Sequence, residues 1–245
     1  MNKIESILIG KDISEWKFKF GYNAEIRSSP QAMAQVHRLT GELHENYKWD
    51  SVKESLKLKY ISEIRLSAYR DFDEYCQNLL VSKSAYIPLS ILEIALRNAL
   101  DSYLSNKIGN DWHLENTFLT SAAQKKVKEV MEMLKSRKET DTKEKIIAEL
   151  SFGFWVNLFQ KPYQNDFRTK DLQQIFSNMP SKEKMFLARE EIYKQLDHIR
   201  RFRNRVFHYE KVINKDHYND IDDEIYFILN IFDSELSEFT RKLNT

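Results

Sequence analysis

The sequence is poor in the residues that turn and crosslink a chain. Only 5 glycines and 4 prolines occur among 245 residues, so the many turns of a β-sandwich or β-barrel are poorly supplied. The single cysteine, Cys76, excludes an internal disulfide framework and a zinc site built from cysteines. No basic-then-apolar N-terminal segment and no long apolar run suggests export or membrane insertion. We therefore expect an all-α protein of the cytoplasm.

The charges balance overall but are unevenly distributed. The chain has 38 Lys+Arg and 37 Asp+Glu, a net charge of +1, which carries no whole-chain signature of nucleic-acid binding. Residues 200–205 nevertheless contain four arginines and no acid, whereas residues 216–238 contain eight acids. This pattern indicates either a local basic site beside an acidic C-terminal helix or the solvated faces of ordinary helices.

Apolar spacing predicts helices over most of the chain beyond residue 50. Ser51 and Glu54 have the spacing of a capping box for a helix that runs to about residue 81. Pro88 fits the first turn of a second helix that is apolar on nearly every side. Further helices are predicted from about 120 to 138, from Ser181 through His208, and from about 216 to 243. Residues 1–50 are treated as an N-terminal extension of uncertain structure, and residues 51–245 as one helical domain.

The long helix that ends near residue 208 contains an unusual arginine. Its apolar positions follow a helical stripe: Met185, Ile192, Leu196, Ile199 and Val206. A step of four from Ile199 predicts a core-facing position for Arg203, where an unpaired guanidinium would be costly, so an anion or acceptor should meet it. Asn204 and His208 are four residues apart and share a face. Arg203 and His208 are about 140° apart on an ideal helix, but the long arginine and the frayed helix end let both reach one pocket.

Such a trio suits cleavage of a phosphodiester. Histidine exchanges a proton near neutral pH, and arginine presents a fixed fork of donors to a phosphate. RNA carries its own nucleophile, the 2′-hydroxyl, so a ribonuclease without metal needs little more than an acid, a base and a positive charge. One histidine cannot conveniently be both acid and base, and a second copy across a two-fold axis would supply the other. The alternative is an arginine-rich helix whose terminal histidine is favoured by the helix dipole.

A resemblance to a known family extends over a longer span. Four segments carry it in order: YISEIRLSAYR (60–70), LEIALRNALDSYLSNKIGNDW (92–112), LSFGFWVNLF (150–159) and IRRFRNRVFHYE (199–210). The sequence resembles the Abi-like (abortive infection, AbiF/AbiD type) proteins of bacteria, a branch of the HEPN superfamily. The resemblance covers roughly residues 60 to 210, and Tyr209 departs from the small residue or histidine usual after the motif.

The resemblance implies a HEPN-like helical bundle with additional helices and a metal-independent endoribonuclease toxin in antiphage defence. Its active-site residues would be Arg203, Asn204 and His208, arranged across a homodimer and needing no cofactor. RNA would be the substrate, and a regulatory noncoding RNA or an antitoxin a further partner. The alternatives are a non-catalytic RNA-binding or regulatory HEPN module that holds a structured RNA or a partner, and an inactive antitoxin-like partner of another enzyme.

Several further residues are assigned supporting roles. Arg200, Arg201 and Arg205 either contact RNA phosphates or are solvated. Glu93 and Arg97 lie one turn apart and are expected to form a buried ion pair, with the alternative that Glu93 orients Arg203. The aromatic residues Phe152, Phe154, Trp155 and Phe159 are expected in the core or at a dimer surface, with base stacking as a lesser alternative. His37, His44, His113 and His217 lack the spacing of a metal site and are expected to be structural or exposed.

Overall fold

The computed structural model describes residues 54–181, 185 and 187–244, and all regular elements within them are helices. The all-α prediction is therefore confirmed, whereas the predicted N-terminal extension and Ser51 lie outside the described residues. The described α-helices are α1 (Glu54–Tyr60), α2 (Glu63–Leu66), α3 (Phe72–Lys107), α4 (Ser121–Ser136), α5 (Lys143–Glu149), α6 (Phe152–Asn157), α7 (Thr169–Ile175), α8 (Arg189–Phe207), α9 (Ile221–Phe232) and α10 (Ser234–Leu243). Short 3₁₀ turns occur at Trp112–Leu114, Lys161–Tyr163 and Asp216–Tyr218.

The chain divides into two compact units. The described part of unit 1 comprises residues 54–89, 202–226 and 239–244, and unit 2 comprises residues 90–201 and 227–238. Helices α3 and α8 each contribute residues to both units, as do α9 and α10. The residues of the predicted active site, from Arg203 to His208, belong to unit 1.

Unit 2 is built around large aromatic and leucine side chains. The second part of α3 contributes a stripe with a spacing of four, and the side chains of Leu92, Leu96, Leu100 and Leu104 are fully buried. Trp112 and Trp155 pack edge to face, with 5.9 Å between their ring centroids. The predicted aromatic patch is core: Phe152, Phe154, Trp155 and Phe159 are all buried. The loop after α3 contains Gly109, whose φ of 134° favours glycine.

Unit 1 has a smaller core built from residues that are distant in the sequence. Phe202 and Val206 of α8 are buried, and Phe202 packs edge to face against Tyr218 at 5.1 Å. The segment after α8 adds two buried apolar residues, Val212 and Ile213. Two polar residues of α3, Glu74 and Asn78, also lie in this core.

The region before α3 differs from its prediction. Instead of one helix to about residue 81, two short helices precede α3, and the apolar side chains Leu58 and Ile64 are exposed, Ile64 by 88%. Ser62 interrupts the helix with a φ of 80°, and its Oγ accepts a hydrogen bond from the N–H of Arg65 at 3.3 Å. Asp71 then starts α3, since its carboxylate accepts a hydrogen bond from the N–H of Glu74 at 2.7 Å. The prediction was wrong because these local side-chain bonds end the helix despite its apolar spacing.

Helix α3 runs without a break through Pro88, where the sequence predicted a new helix to begin. Proline lacks an N–H, so the carbonyl of Ser84 cannot receive the usual helical bond, a loss of about 3 kcal/mol. Pro88 is buried, as are Ala85, about one turn before it, and Leu89, directly after it. The burial of these side chains offsets the lost hydrogen bond and keeps the helix continuous.

Two other boundaries differ from the sequence pattern. Helix α8 begins at Arg189 and not at Ser181, and Met185, predicted on its apolar stripe, lies outside the helix and is 47% exposed. The predicted last helix is two helices, α9 and α10, separated at Asp233. Asp233 caps the second of these, since its carboxylate accepts a hydrogen bond from the N–H of Glu235 at 2.7 Å.

Helix α3 has exposed apolar side chains in addition to its buried stripe. By length and composition it is the one helix of the described residues that could cross a membrane, a criterion that the core helices of many globular proteins also meet. Only 28% of its most apolar stretch is buried. Leu79 and Ile94 are among the exposed apolar side chains, and exposed apolar surface of this kind is typical of a binding interface.

Candidate active site

Helix α8 ends in a Schellman motif, and His208 is its C-cap residue. The N–H of Glu210 donates to the carbonyl of Arg205 at 2.8 Å, and the N–H of Tyr209 donates to that of Val206 at 3.1 Å. Tyr209 has the left-handed φ of 58° that this motif requires. The N–H of His208 still donates to the carbonyl of Asn204 at 2.9 Å. The backbone of His208 is therefore fixed by the helix, while the residue itself is exposed.

Arg203 lies beside the core and not within it. The apolar stripe continues from Ile199 by a step of three, to Phe202, which is 1% exposed, and then to Val206. The prediction of a core-facing position for Arg203 was therefore wrong, and the residue is half-buried. Its guanidinium carbon lies 4.3 Å from the centroid of the Phe207 ring. This cation–π contact holds the positive charge against the side chain that immediately precedes His208.

Asn204 lies between these two residues in the sequence and one turn before His208. It is half-buried, and its carbonyl is the acceptor of the His208 N–H. Because side chains four residues apart share a helix face, its amide lies on the same face as the end of α8 where His208 stands. The structure thus places Arg203, Asn204 and His208 within one and a half turns at the end of one helix.

A buried asparagine of α3 holds the chain that leaves the motif. The Asn78 side chain is fully buried, and its Nδ2 donates to the carbonyl of Glu210 at 3.1 Å. Its Oδ1 accepts from the N–H groups of Val212 at 2.7 Å and Ile213 at 3.3 Å. One side chain therefore satisfies three backbone groups of the segment that follows His208.

A buried carboxylate strengthens the same attachment. Glu74 is 4% exposed, and its Oε1 accepts from the ammonium of Lys211 at 3.0 Å and from the amide of Asn214. Its Oε2 accepts from the N–H of Arg70 at 2.5 Å. Burial acts to raise the pKa of Glu74, but the hydrogen bonds from Arg70, Lys211 and Asn214 outweigh it and hold the pKa below its usual value.

Two basic side chains complete the attachment. The ammonium of Lys211 also donates to the carbonyl of Ala68 at 3.0 Å, and Arg65 donates from Nη1 to the carbonyl of Tyr209 at 2.5 Å. Together with Asn78 and Glu74, these residues tie the segment 209–214 to residues 65–78. We call this set of contacts the exit clamp, defined by Arg65, Glu74, Asn78 and Lys211.

Sequence reasoning did not single out the exit clamp, although the sequence contains a signal for it. Glu74 and Asn78 are spaced by four and continue the buried stripe that includes Ala85 and Leu89 of the same helix. Polar residues at core positions require hydrogen-bond partners. That requirement predicts that they bind something, but the spacing cannot name the partner.

The three arginines proposed to contact RNA all have carboxylate partners. Arg200 and Arg201 both pair with Asp197, at 2.6 and 2.8 Å, and belong to unit 2. Arg205 pairs with Glu210 at 2.9 Å in unit 1. An RNA phosphate would have to compete with these acids, so the three arginines are weaker phosphate ligands than their charge alone suggests.

The predicted buried ion pair between Glu93 and Arg97 is not what the structure shows for Arg97. Both residues lie in unit 2 and both are half-buried and not fully buried. The Arg97 guanidinium donates from Nη1 to the carbonyl of Ala148 at 3.2 Å and from Nε to Asn98. The arginine thus links α3 to the end of α5, a contact distant in sequence that helical spacing could not predict.

Of the four histidines predicted to be structural or exposed, His113 and His217 belong to the described residues. His113 is buried in unit 2, and burial lowers its pKa. His217 is exposed beside Tyr218, whereas His37 and His44 lie outside the described residues. In the part of the chain that the structure describes, no cluster of three or more His, Cys, Asp or Glu side chains could hold a metal ion.

Comparison with known proteins adds no relative. No family model, curated protein or solved structure matches this chain.

Proposed function

We propose that this chain is a metal-independent endoribonuclease toxin of a bacterial abortive-infection system, of the HEPN type, with Arg203, Asn204 and His208 as its catalytic residues. The observation that carries the proposal is the end of α8, where an exposed histidine on a fixed backbone follows a half-buried arginine within one and a half turns. The Schellman motif and the exit clamp add support, because they pre-organise the backbone around a residue that would otherwise fray.

The chemistry follows from what each side chain can donate or accept. The ribose 2′-oxygen attacks the adjacent phosphorus, the bond to the 5′-oxygen breaks, and the products are a 2′,3′-cyclic phosphate and a 5′-hydroxyl. One group takes the proton of the 2′-hydroxyl and another gives a proton to the 5′-oxygen. His208 performs one of these transfers, Arg203 binds the non-bridging oxygens as their charge grows, and Asn204 orients one partner by a hydrogen bond.

The second proton transfer requires a second group. We assign it to the partner subunit's His208, so the active form is a homodimer. The exposed apolar side chains of Leu79 and Ile94 on α3 support association, because contact with a second subunit would remove them from water. RNA is the substrate, no cofactor takes part, and the enzyme acts in the cytoplasm under the control of a noncoding RNA or an antitoxin.

The test compares cleavage of total RNA in EDTA by the parent, His208→Ala and Arg203→Ala proteins. Loss of the proton-transfer group should slow cleavage by about 10²-fold to 10⁴-fold, and loss of the arginine should slow it and weaken RNA binding. His217→Ala removes another exposed histidine of unit 1 and should cleave at the parental rate. Undiminished cleavage by His208→Ala contradicts the proposal. RNA retention without cleavage, abolished by Arg203→Ala and unaffected by His208→Ala, would establish a non-catalytic RNA-binding module instead.

A further inference from the structure

An exposed tyrosine extends the stacked side chains of the motif. Tyr86 of α3 is 57% exposed, and its ring centroid lies 5.8 Å from that of Phe207 with a tilt of 32°. Phe207 in turn carries the guanidinium of Arg203 at 4.3 Å. Tyr86, Phe207 and Arg203 therefore form one contiguous series within unit 1, and its middle member, Phe207, immediately precedes His208. We call this series the aromatic platform.

The platform is unlike the aromatic clusters of the core. Rings such as Phe159 and Phe167 also stack, at 5.2 Å, but both are buried. Tyr86 instead has most of its surface in water. Lys83 stands one turn before Tyr86 on the same helix face and is also exposed. An exposed ring with a lysine on the same helix face and an arginine on the adjoining ring matches the chemistry of a nucleotide, which offers a base to stack and a phosphate to pair.

We propose that Tyr86 stacks on an unpaired base of single-stranded RNA beside the phosphate that His208 and Arg203 act on, with Lys83 binding a neighbouring phosphate. The inference rests on the proposed function, since the platform adjoins the same site. It names the substrate class: a base held in a duplex is stacked between its neighbours and cannot lie on Tyr86, so single-stranded segments and loops are bound and cut in preference to helices.

The experiment measures binding apart from cleavage. The His208→Ala protein is titrated in EDTA with a fluorescent single-stranded oligonucleotide, and the same is done with Tyr86→Ala, Tyr86→Phe or Tyr60→Ala added. Tyr86→Ala should weaken the Kd by about fivefold to a hundredfold, the range of one stacked base. Tyr86→Phe keeps the ring and should bind the oligonucleotide with the same Kd as the His208→Ala protein without a second substitution. Tyr60→Ala removes a tyrosine of unit 1 that is 71% exposed and should leave the Kd unchanged.

Photocrosslinking identifies the residue on which the RNA base stacks. Oligonucleotides with 5-iodouracil form crosslinks to stacked aromatic rings under ultraviolet light, and mass spectrometry of the digested complex should place the crosslink on Tyr86. Equal Kd values for Tyr86→Ala and its background, or crosslinks elsewhere only, overturn the inference. So does a change from dimer to monomer on Tyr86→Ala in analytical ultracentrifugation, which would make this face a subunit interface.

The outcomes also separate the two proposals. A crosslink on Tyr86 together with no cleavage by the parent would overturn the proposed ribonuclease activity and leave the RNA platform standing. Cleavage by the parent together with an unchanged Kd for Tyr86→Ala would overturn the platform and leave the ribonuclease standing.

Discussion

The substitution Asn78→Ala should destabilise the protein by about 2 to 4 kcal/mol, a value that follows from the exit clamp. The change removes three hydrogen bonds, to the carbonyl of Glu210 and to the N–H groups of Val212 and Ile213. Glu210 is exposed, so water can replace its bond, but Val212 and Ile213 are 3% and 5% exposed. Each buried N–H left without a partner costs about 1–3 kcal/mol.

The size of the effect is set mainly by Val212, because its bond of 2.7 Å is the shortest of the three, whereas that of Ile213 is 3.3 Å. Alanine is the better helix former by roughly 0.5 kcal/mol, which offsets a small part of the loss. Asn106→Ala makes the same chemical change at an exposed position of the same helix and isolates that contribution.

The measurement is urea unfolding followed by circular dichroism, with the free energy extrapolated to water for the parent and both variants. We expect Asn106→Ala to lie within about 0.5 kcal/mol of the parent and Asn78→Ala to be clearly less stable. Hydrogen exchange should also show faster exchange of the Val212 and Ile213 amides. If the two variants are equally stable and both amides stay protected, the exit clamp does not hold the segment after His208.

Three further effects follow from groups that are buried or half-buried. Because the folded state lowers the pKa of Glu74, its carboxylate stabilises the protein above the unfolded pKa of about 4.3, and this contribution is lost on acidification. The urea midpoints of the parent and Glu74→Gln should therefore differ at neutral pH and converge in acid. A difference between the midpoints that does not change with pH would contradict this. Trp155→Ala should lose about 3–5 kcal/mol, since its ring is fully buried; a loss below about 1 kcal/mol in thermal or urea unfolding would contradict its place in the core. Burial raises the pKa of Cys76 to about 11, so iodoacetamide at pH 8 should react with Cys76 on the order of a hundredfold more slowly than with a free thiol. Equal reaction rates for the folded protein and a free thiol would contradict it.

The helical class could be predicted because it depends on local spacing. The buried residues Ile192, Leu196 and Ile199 of α8 follow the period of 3.6 that the sequence displays. The helix boundaries were predicted less well than the helical class, because they depend on a balance between competing interactions. At Pro88 burial outweighs a lost hydrogen bond, and at Ser62 and Asp71 short side-chain bonds outweigh the apolar pattern.

The motif residues could be selected from the sequence, but the burial and the contacts of their side chains could not be predicted from it. A step of four from Ile199 reaches Arg203 and a step of three reaches Phe202, and both steps are allowed by a helix. Only the packing against Tyr218 shows that Phe202 is the core residue. The contacts of Asn78 join residues that are 132 to 135 positions apart, and no local pattern carries information about pairs at that separation.

The central claim is that His208 transfers a proton in the cleavage of RNA. The most direct measurement is the chemistry of the RNA ends after incubation in EDTA with the parent or with His208→Ala, read by mass spectrometry of a defined single-stranded oligonucleotide. The account predicts fragments ending in a 2′,3′-cyclic phosphate and a 5′-hydroxyl with the parent, and intact RNA with His208→Ala. The same cyclic-phosphate fragments at the same rate from both proteins would contradict it.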